Sequence, residues 1–144
     1  MQITKEFERF AMYLPNVVVM PIFGGVSLAG QKDQITMKYP NIVVGCPGRV
    51  KALGRDKILD YSQVKHFVMD ECDKMLAKMD MRGDVQDIFR MTLHNKQTMM
   101  FSATMSSESR LICKKFLHNV CDVTPPATTT PTTPTPMAAP CFVS

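Results

Sequence analysis

Four short apolar runs, alternating with stretches of helical spacing, constrain the fold of this chain more than any other feature. The runs are residues 17–23, 41–45, 66–71 and 97–102, and each ends at or just before glycine, proline, acidic or small polar residues. Near-continuous apolar runs of this length are typical of strands that a parallel sheet buries on both faces. The alternation therefore predicts an α/β fold with a parallel sheet, flanking helices and right-handed crossovers.

The stretches around these runs are predicted helices, because their apolar residues recur at helical spacing. Ser27 and Ser106 stand where N-caps are expected. Residues 80–84 mix acidic and basic side chains and are predicted to connect two helices. The predicted helices are residues 5–13, 28–38, 49–55, 75–79, 85–90 and 106–117.

The composition argues against several classes of protein. A formal net charge of +4 over 144 residues permits an RNA partner without requiring one, since nucleic-acid binders usually cluster their charge on one face. The five cysteines include no C-x-x-C pair, so we expect no disulfide partner, no zinc site and a reducing compartment. The polar N-terminus and the lack of a long apolar run predict neither a signal peptide nor a membrane partner.

The composition changes at Thr124. Residues 124–144 hold six of the ten prolines and no charged residue, so we predict a disordered, polyproline-like tail. One interpretation of the tail is a linker or a read-through segment. The other is a Pro-rich docking segment or an O-glycosylated stalk. The predicted organisation is one domain over residues 1–123, followed by this Pro/Thr-rich tail.

Four loops at the predicted carboxyl ends of strands are candidate functional sites, because open parallel sheets bind their ligands there. The third loop has the form of a Walker B site, in which an acid at a strand tip holds Mg²⁺ through water and its neighbour orients an attacking water. Taken alone, Asp70 and Glu71 are also typical of a helix that begins with acidic residues. The loops are residues 24–25, 46–49, 70–73 and 102–104.

Four motifs follow one another in order: residues 23–25 (FGG), 44–49 (VGCPGR), 70–76 (DECDKML) and 101–104 (FSAT). This ordered set resembles the DEAD-box RNA helicases, and DECD in place of DEAD is similar to their mRNA splicing and export branch. The resemblance covers nearly all of residues 2–122. It implies a partial RecA-like domain, ATP-dependent RNA remodelling with Mg²⁺ and ATP as cofactors, and mRNA export or splicing factors as partners. It also implies a nuclear location, with the cytoplasm as a second compartment.

The same resemblance assigns roles to the acidic and hydroxyl residues. Asp70 is the implied ligand of Mg²⁺ through water, and Glu71 is the implied group that positions the hydrolytic water. Asp73 is implied to tie the nucleotide site to Ser102 and Thr104, in the loop that couples hydrolysis to strand separation. The alternative for Ser102 and Thr104 is that they cap the following helix.

The glycine and arginine motifs resemble the parts of the family that grip the RNA sugar-phosphate backbone. They are Gly24, Gly25, Pro47, Gly48 and Arg49. Glycines let backbone N–H groups approach a phosphate, a helix N-terminus favours an anion, and arginine adds charged donors. Such contacts read no bases, so we expect binding that does not depend on sequence. The alternatives are a simple turn at the glycines and a solvated surface charge at Arg49.

The phosphate-binding part of the family pattern is absent from these 144 residues. No G-x-x-x-x-G-K-[ST] motif occurs in the sequence, and neither do the family's adenine-reading segment and second helicase domain. We therefore expect that the chain does not hydrolyse ATP alone, and its status as an enzyme is open. Three hypotheses follow: a helicase completed by another chain, a non-catalytic RNA- or partner-binding fragment, and an inactive truncated product.

Smaller departures from the family pattern suggest relaxed constraint. Cys46 stands where the family usually has threonine, Pro21 removes a donor from a predicted strand, and Gly54 lies inside a predicted helix. Without the family's other strands, we also expect the sheet to expose unpaired edges and apolar faces.

Overall fold

The computed structural model describes residues 2–117, 121–123 and 141–143 and divides into two units, each with its own sheet. The first unit comprises residues 1–62 and 84–91, and the second comprises residues 63–83 and 92–144. Short strands alternate with helices in both units, which confirms the predicted α/β class. Within these described ranges, no helix has the length and apolar character needed to cross a membrane.

The first unit surrounds a pair of parallel strands with helices. Val19 lies opposite Ile42 and Ile22 lies opposite Gly45, and the connection between the two strands passes through a helix, as parallel pairing requires. The two predicted strands are thus confirmed, each slightly shorter than its apolar run. The elements in chain order are α1 (Gln2–Phe10), a 3₁₀ turn (Ala11–Tyr13), β1 (Val19–Ile22), α2 (Leu28–Met37), β2 (Ile42–Gly45) and α3 (Pro47–Arg55).

The starts of α2 and α3 are fixed in different ways. The predicted N-cap of α2 is confirmed, because the Ser27 hydroxyl accepts a hydrogen bond of 3.0 Å from the amide of Gly30. The helix α3 begins at Pro47, two residues before its predicted start. Proline is favoured in the first turn because its fixed φ suits a helix and the N–H that it lacks has no partner there.

Pro21 lies in β1 without interrupting its pairing with β2. The amide of Ile42 donates to the carbonyl of Val18 at 3.0 Å, and the amide of Cys46 donates to the carbonyl of Ile22 at 3.1 Å. Successive residues of a strand direct their backbone groups to opposite edges, so the nitrogen of Pro21 faces away from β2. The expected loss of a ladder donor therefore does not occur in this pair.

Gly54 is required by packing, which corrects its interpretation as a sign of relaxed constraint. A Cβ at this position would lie 2.8 Å from a ring carbon of Tyr61 and 3.0 Å from the sulfur of Met91. The ring of Tyr61 is buried, and its hydroxyl donates a hydrogen bond of 2.8 Å to the carbonyl of Val50. Burial raises the pKa of Tyr61 far above its ordinary value, which keeps the phenol protonated.

The second unit contains a four-stranded sheet in the order β3-β4-β6-β5. β3 and β4 are parallel, as predicted, whereas β6 runs antiparallel to both β4 and β5. The antiparallel pairing of β6 was not predicted from the sequence. The elements in chain order are β3 (His66–Met69), α4 (Cys72–Ala77), α5 (Met79–Met91, whose first five residues belong to this unit), β4 (Gln97–Ser102), α6 (Ser107–Cys113), β5 (Asp122–Val123) and β6 (Cys141–Val143).

The predicted connector at residues 80–84 is wrong, because these residues lie inside α5. Asp80 is in the first turn of the helix, where a negative charge is favoured by the positive end of the helix dipole. Val85 and Ile88, spaced by three residues, are the buried face of the helix. Mixed charge in this segment therefore belongs to the first turns of a helix rather than to a connector between two helices.

Burial on both faces of the sheet is not observed in β3. Met69 is buried, but Val68 is 49% exposed. Along β4, Thr98, Met100 and Ser102 are buried, while the intervening residues are partly exposed. The exposed valine agrees with the expectation of open apolar faces in this part of the chain.

The tail differs from its prediction at Cys141–Val143, which form β6. This segment contains no proline and includes phenylalanine and valine, which favour strands, unlike the Pro/Thr-rich residues before it. Residues 124–140 and Ser144 lie outside the described residues, so disorder there stays a prediction.

Gly54→Ala is expected to lower the free energy of unfolding by about 1–3 kcal/mol, because the added methyl group would overlap the ring of Tyr61. Gly83→Ala is the matched control, since Gly83 also lies inside a helix but a Cβ there would meet nothing within 4 Å. The control should raise the free energy of unfolding by about 0.5–1 kcal/mol through helix propensity. Urea unfolding followed by circular dichroism measures both changes, and shifts of the same sign would contradict the packing argument.

Candidate functional site

A pocket of about 480 Å³ lies in the first unit, where β1 and β2 end. Gly24 lines it from the loop after β1, and Ser27 lines it from the start of α2. Cys46, Gly48 and Arg49 line it from the start of α3. Because β1 and β2 are parallel, their carboxyl ends bring two of the predicted loops together at one edge of the sheet.

The glycine loop leaves its backbone open to a ligand. Gly25 has a φ of 93°, a conformation that a residue with a Cβ rarely adopts. A Cβ at Gly24 or Gly25 would meet nothing within 4 Å, so there is free space beside both residues. The side of the loop on which a Cβ would project is therefore open at both residues.

Two helix N-termini face the same pocket. α2 begins beside Ser27, and α3 begins at Pro47, next to Gly48 and Arg49. The helix dipole makes this end of each helix positive, while the Gly30 amide donates to the Ser27 hydroxyl and the Arg49 amide donates to the Cys46 carbonyl. Among the described residues, no hydrogen bond or ion pair engages the Arg49 guanidinium. The pocket therefore combines several features that favour a phosphate.

Pro47 and Cys46 contribute differently from the other predicted residues of this loop. Pro47 is buried, so its role is to fix the start of α3 rather than to touch a ligand. Cys46 is exposed at the N-cap position, and its side chain makes no capping hydrogen bond. The thiol thus lies at the edge of the pocket without closing off the helix N-terminus.

Asp70 and Glu71 lie in the second unit, directly after β3. One carboxylate oxygen of Asp70 accepts a hydrogen bond of 2.9 Å from the amide of Glu71. Glu71 has a φ of 50° in the left-handed region, and its carboxylate pairs with the Lys74 ammonium at 2.9 Å. A left-handed residue with a side chain is strained, and such strain is concentrated at functional sites.

Asp73 connects the end of β3 with the loop after β4. Its carboxylate accepts a hydrogen bond of 2.7 Å from the Thr104 hydroxyl. The Ser102 hydroxyl has a single proton, which we assign to the Thr104 carbonyl at 2.6 Å. The structure therefore joins Asp73 to the loop of Ser102 and Thr104, with the Thr104 hydroxyl as the side-chain donor to Asp73.

The pKa of Asp73 is set by two opposing effects. Desolvation raises the pKa, but hydrogen bonds from the Thr104 hydroxyl and the Lys74 amide lower it, and the net pKa lies below the ordinary value of 3.8. Asp73 is therefore ionised at neutral pH, and the negative charge strengthens its hydrogen bond with Thr104.

Two thiols pack behind Asp73. Cys72 and Cys113 are both buried, with their sulfur atoms 4.0 Å apart, which is well beyond a disulfide bond. The hydrogen bond to Cys113, together with burial, raises the pKa of Cys72, so this thiol stays protonated at neutral pH. The pair packs α4 against α6 and so supports the helix that carries Asp73.

The acidic residues have the chemistry that a magnesium–nucleotide complex requires. Mg²⁺ prefers oxygen ligands and keeps several waters, and the exposed carboxylate of Asp70 fits a water-mediated contact. Among the described residues, no three His, Cys, Asp or Glu side chains converge. Asp70 therefore fits a site completed by phosphates and water rather than one built by the protein alone.

Sequence reasoning missed some neighbours of these residues. Lys74 pairs with Glu71, and its spacing of three residues could have signalled the contact. Val26 and Leu28 form apolar walls of the pocket, and no sequence signal identifies them because they depend on how the helix packs. Three of the predicted residues, Gly24, Gly48 and Arg49, line the pocket of the first unit, and the predicted acidic and hydroxyl residues lie in the second unit.

The comparisons with known proteins point to one family. The model of the DEAD/DEAH box helicase family matches residues 1–112. The DEAD-box ATP-dependent RNA helicase 56 of Oryza sativa subsp. japonica is 54% identical over 122 residues, which are 85% of this chain and 28% of that protein. The DEAD-box ATP-dependent RNA helicase 15 of Arabidopsis thaliana is 53% identical over 122 residues, 85% of this chain and 29% of that protein.

A solved structure shows the same fold. The crystal structure of a DEAD box protein from the hyperthermophile Methanococcus jannaschii superposes with a TM-score of 0.68 at 30% identity. The match covers 82% of this chain and 32% of that one. It supports the predicted RecA-like fold of part of a helicase domain, and the chain spans less than a third of each of these relatives.

Thr104→Val is expected to raise the pKa of Asp73, because it removes the hydroxyl that stabilises the carboxylate. Because the pKa of Asp73 is lower in the folded state than in the unfolded chain, the ionised carboxylate stabilises the fold at pH values above 3.8. This stabilisation is lost as the pH falls through the pKa of the folded state. The stability lost in the variant should therefore shrink as the pH is lowered below 3.8. NMR titration of the side-chain carboxyl measures the pKa, with Thr36→Val as control. An unchanged pKa in Thr104→Val would contradict the assignment.

Glu71→Gly is expected to raise the free energy of unfolding by about 1 kcal/mol, because glycine adopts the left-handed conformation without strain. Asp70→Gly is the neighbouring control, and there glycine should destabilise by about 0.5–1 kcal/mol through added chain entropy. Urea unfolding of both variants makes the comparison. A loss of stability in Glu71→Gly would show that Glu71 is not strained.

Proposed function

The chain belongs to the DEAD/DEAH box helicase family, and from that premise we propose that it carries the RNA-backbone site and the hydrolytic acids of an ATP-dependent RNA helicase. Two sites support the proposal, one in each unit of the fold. The relatives that it resembles are themselves named as ATP-dependent RNA helicases.

The pocket of the first unit is the single observation that supports RNA binding most strongly. Two helix N-termini, an open glycine loop and the Arg49 guanidinium surround it, and all of them favour an anion. RNA repeats such an anion at every phosphate. Gly24, Gly25, Gly48 and Arg49 are the proposed contacts, with Pro47 holding the start of α3. Because these contacts do not reach the bases, binding is independent of sequence.

The second unit is the proposed hydrolytic part. Mg²⁺, when bound with ATP, neutralises negative charge on the phosphates. Asp70 would hold the water ligands of that ion, and Glu71, whose carboxylate pairs with Lys74, would orient the attacking water. Asp73 joins this strand end to the loop of Ser102 and Thr104 through its hydrogen bond with Thr104, so that a shift in one loop displaces the other. This link is the proposed coupling between hydrolysis and movement of RNA.

The 144 residues supply part of such an enzyme. They span 28% and 29% of the two plant relatives, and they contain no phosphate-loop motif. We therefore propose RNA-backbone binding as the function of this chain by itself, and ATP hydrolysis as a property of an assembly that supplies the phosphate loop. The pocket favours RNA binding over an inactive product, because residues of the first unit alone form it.

The cellular role that we propose is mRNA splicing and export in the nucleus, with the cytoplasm as a second compartment. The support is Cys72, which makes the motif DECD. Splicing or export factors are the corresponding proposed partners. Nuclear localisation of a tagged chain would test this role, and exclusion of the chain from the nucleus would contradict it.

Arg49→Ala is expected to weaken binding of single-stranded RNA and to reduce its salt dependence. Loss of one phosphate contact should lower the slope of log K against log salt by about 0.7. Arg55→Ala is the matched control, because Arg55 lies on the same helix, outside the pocket, and pairs with Asp56 at 3.1 Å. Fluorescence anisotropy with labelled RNA, repeated at several salt concentrations, measures both variants.

Two outcomes of this titration would contradict the proposed function. The first is that the wild-type chain does not bind RNA at low salt. The second is that Arg49→Ala and Arg55→Ala have the same affinity and the same salt slope. Replacing the RNA with one of different base composition adds a further check, since backbone contacts predict unchanged affinity.

A further inference from the structure

A buried glutamine braces the glycine loop from the first turn of α2. Gln31 is 3% exposed, and its side-chain amide nitrogen donates a hydrogen bond of 3.3 Å to the carbonyl of Phe23. Phe23 directly precedes Gly24 and Gly25. The loop is therefore held at one end by Gln31 and at the other by the Ser27 cap of α2.

The side-chain amide oxygen of Gln31 has no hydrogen-bond partner among the described residues. This oxygen is also buried. A buried acceptor without a partner destabilises a fold, and an apolar side chain of the same shape avoids that penalty. Core stability alone therefore does not favour glutamine at this position, and the bond to Phe23 is what the amide contributes.

We propose that Gln31 is a positioning residue for the RNA-backbone site, holding the loop of Gly24 and Gly25 in the shape that receives a phosphate. The inference rests on the proposed function of the pocket. Gln31 does not line the pocket, so it acts through the loop rather than by touching RNA. Glycine residues have wide conformational freedom. A hydrogen bond that holds the neighbouring Phe23 in place reduces the conformational entropy that the loop loses when it binds a ligand.

The test uses Gln31→Met in the full 144-residue chain, since methionine matches the shape of glutamine and cannot donate to Phe23. Gln34→Met is the matched control, because Gln34 lies one turn later on α2 and is exposed. Two quantities are measured for each chain: the urea midpoint of unfolding, and the affinity for a fluorescein-labelled single-stranded RNA of mixed sequence.

The expected result for Gln31→Met is an unchanged or higher urea midpoint together with an RNA affinity about 2- to 10-fold weaker, as expected from losing one hydrogen bond. A residue that only fills the core cannot give that combination. In the wild-type chain, the side-chain NH₂ resonances of Gln31 should also shift when RNA is added, and those of Gln34 should not.

Each alternative outcome has a separate meaning. Unchanged RNA affinity in Gln31→Met, or a Gln31 NH₂ signal that RNA leaves in place, would overturn the positioning role alone. A variant that loses its cooperative unfolding transition would show that glutamine holds the core rather than the loop, and would overturn it as well. A wild-type chain that binds no RNA would overturn the proposed function, and this inference with it.

Discussion

The close approach of Gly45 to Ile22 is the constraint on which the candidate RNA site depends. A Cβ at Gly45 would lie 2.5 Å from the carbonyl oxygen of Ile22. The same oxygen accepts a hydrogen bond from the amide of Cys46. The end of β2 can therefore reach the end of β1 only because residue 45 has no side chain. This contact sets the glycine loop beside the start of α3, and the anion-binding character of the pocket follows from that placement.

In the second unit, a contact between side chains holds the loops at the strand ends together. β3 and β4 are parallel, so the acidic motif and the Ser-Ala-Thr motif end at the same edge. The charge of Asp73 and the hydroxyl of Thr104 then connect the two loops. In each unit, parallel pairing first brings the loops together, and one local contact then fixes their distance.

Much of the fold could be predicted because the signals are local. Four apolar runs identified β1 to β4, and Ser27 identified the start of α2. The helix across residues 80–84 was missed because its charged face looks like a connector when the buried positions of α5 are unknown. The antiparallel strand at Cys141–Val143 was missed because its partner is distant in the sequence. The need for glycine at position 54 could not be predicted either, because it arises from the ring of Tyr61 packing against that position.

The candidate site was predicted from motif order, and the structure adds how the residues act. Motifs name Pro47, but only burial shows that it shapes α3 rather than meeting a ligand. They name Glu71, but only its φ shows that it is strained. No motif names Gln31, because its proposed role comes from one hydrogen bond to Phe23 and one amide oxygen without a partner among the described residues.

The proposed function requires that RNA occupies the pocket between the glycine loop and α3. Backbone ¹H–¹⁵N NMR of the 144-residue chain, recorded while single-stranded RNA is added, tests it most directly. If RNA lies in this pocket, the amides of Gly24, Gly25, Gly48 and Arg49 shift together with one saturation curve. RNA binding that shifts other amides and leaves these four in place would contradict it.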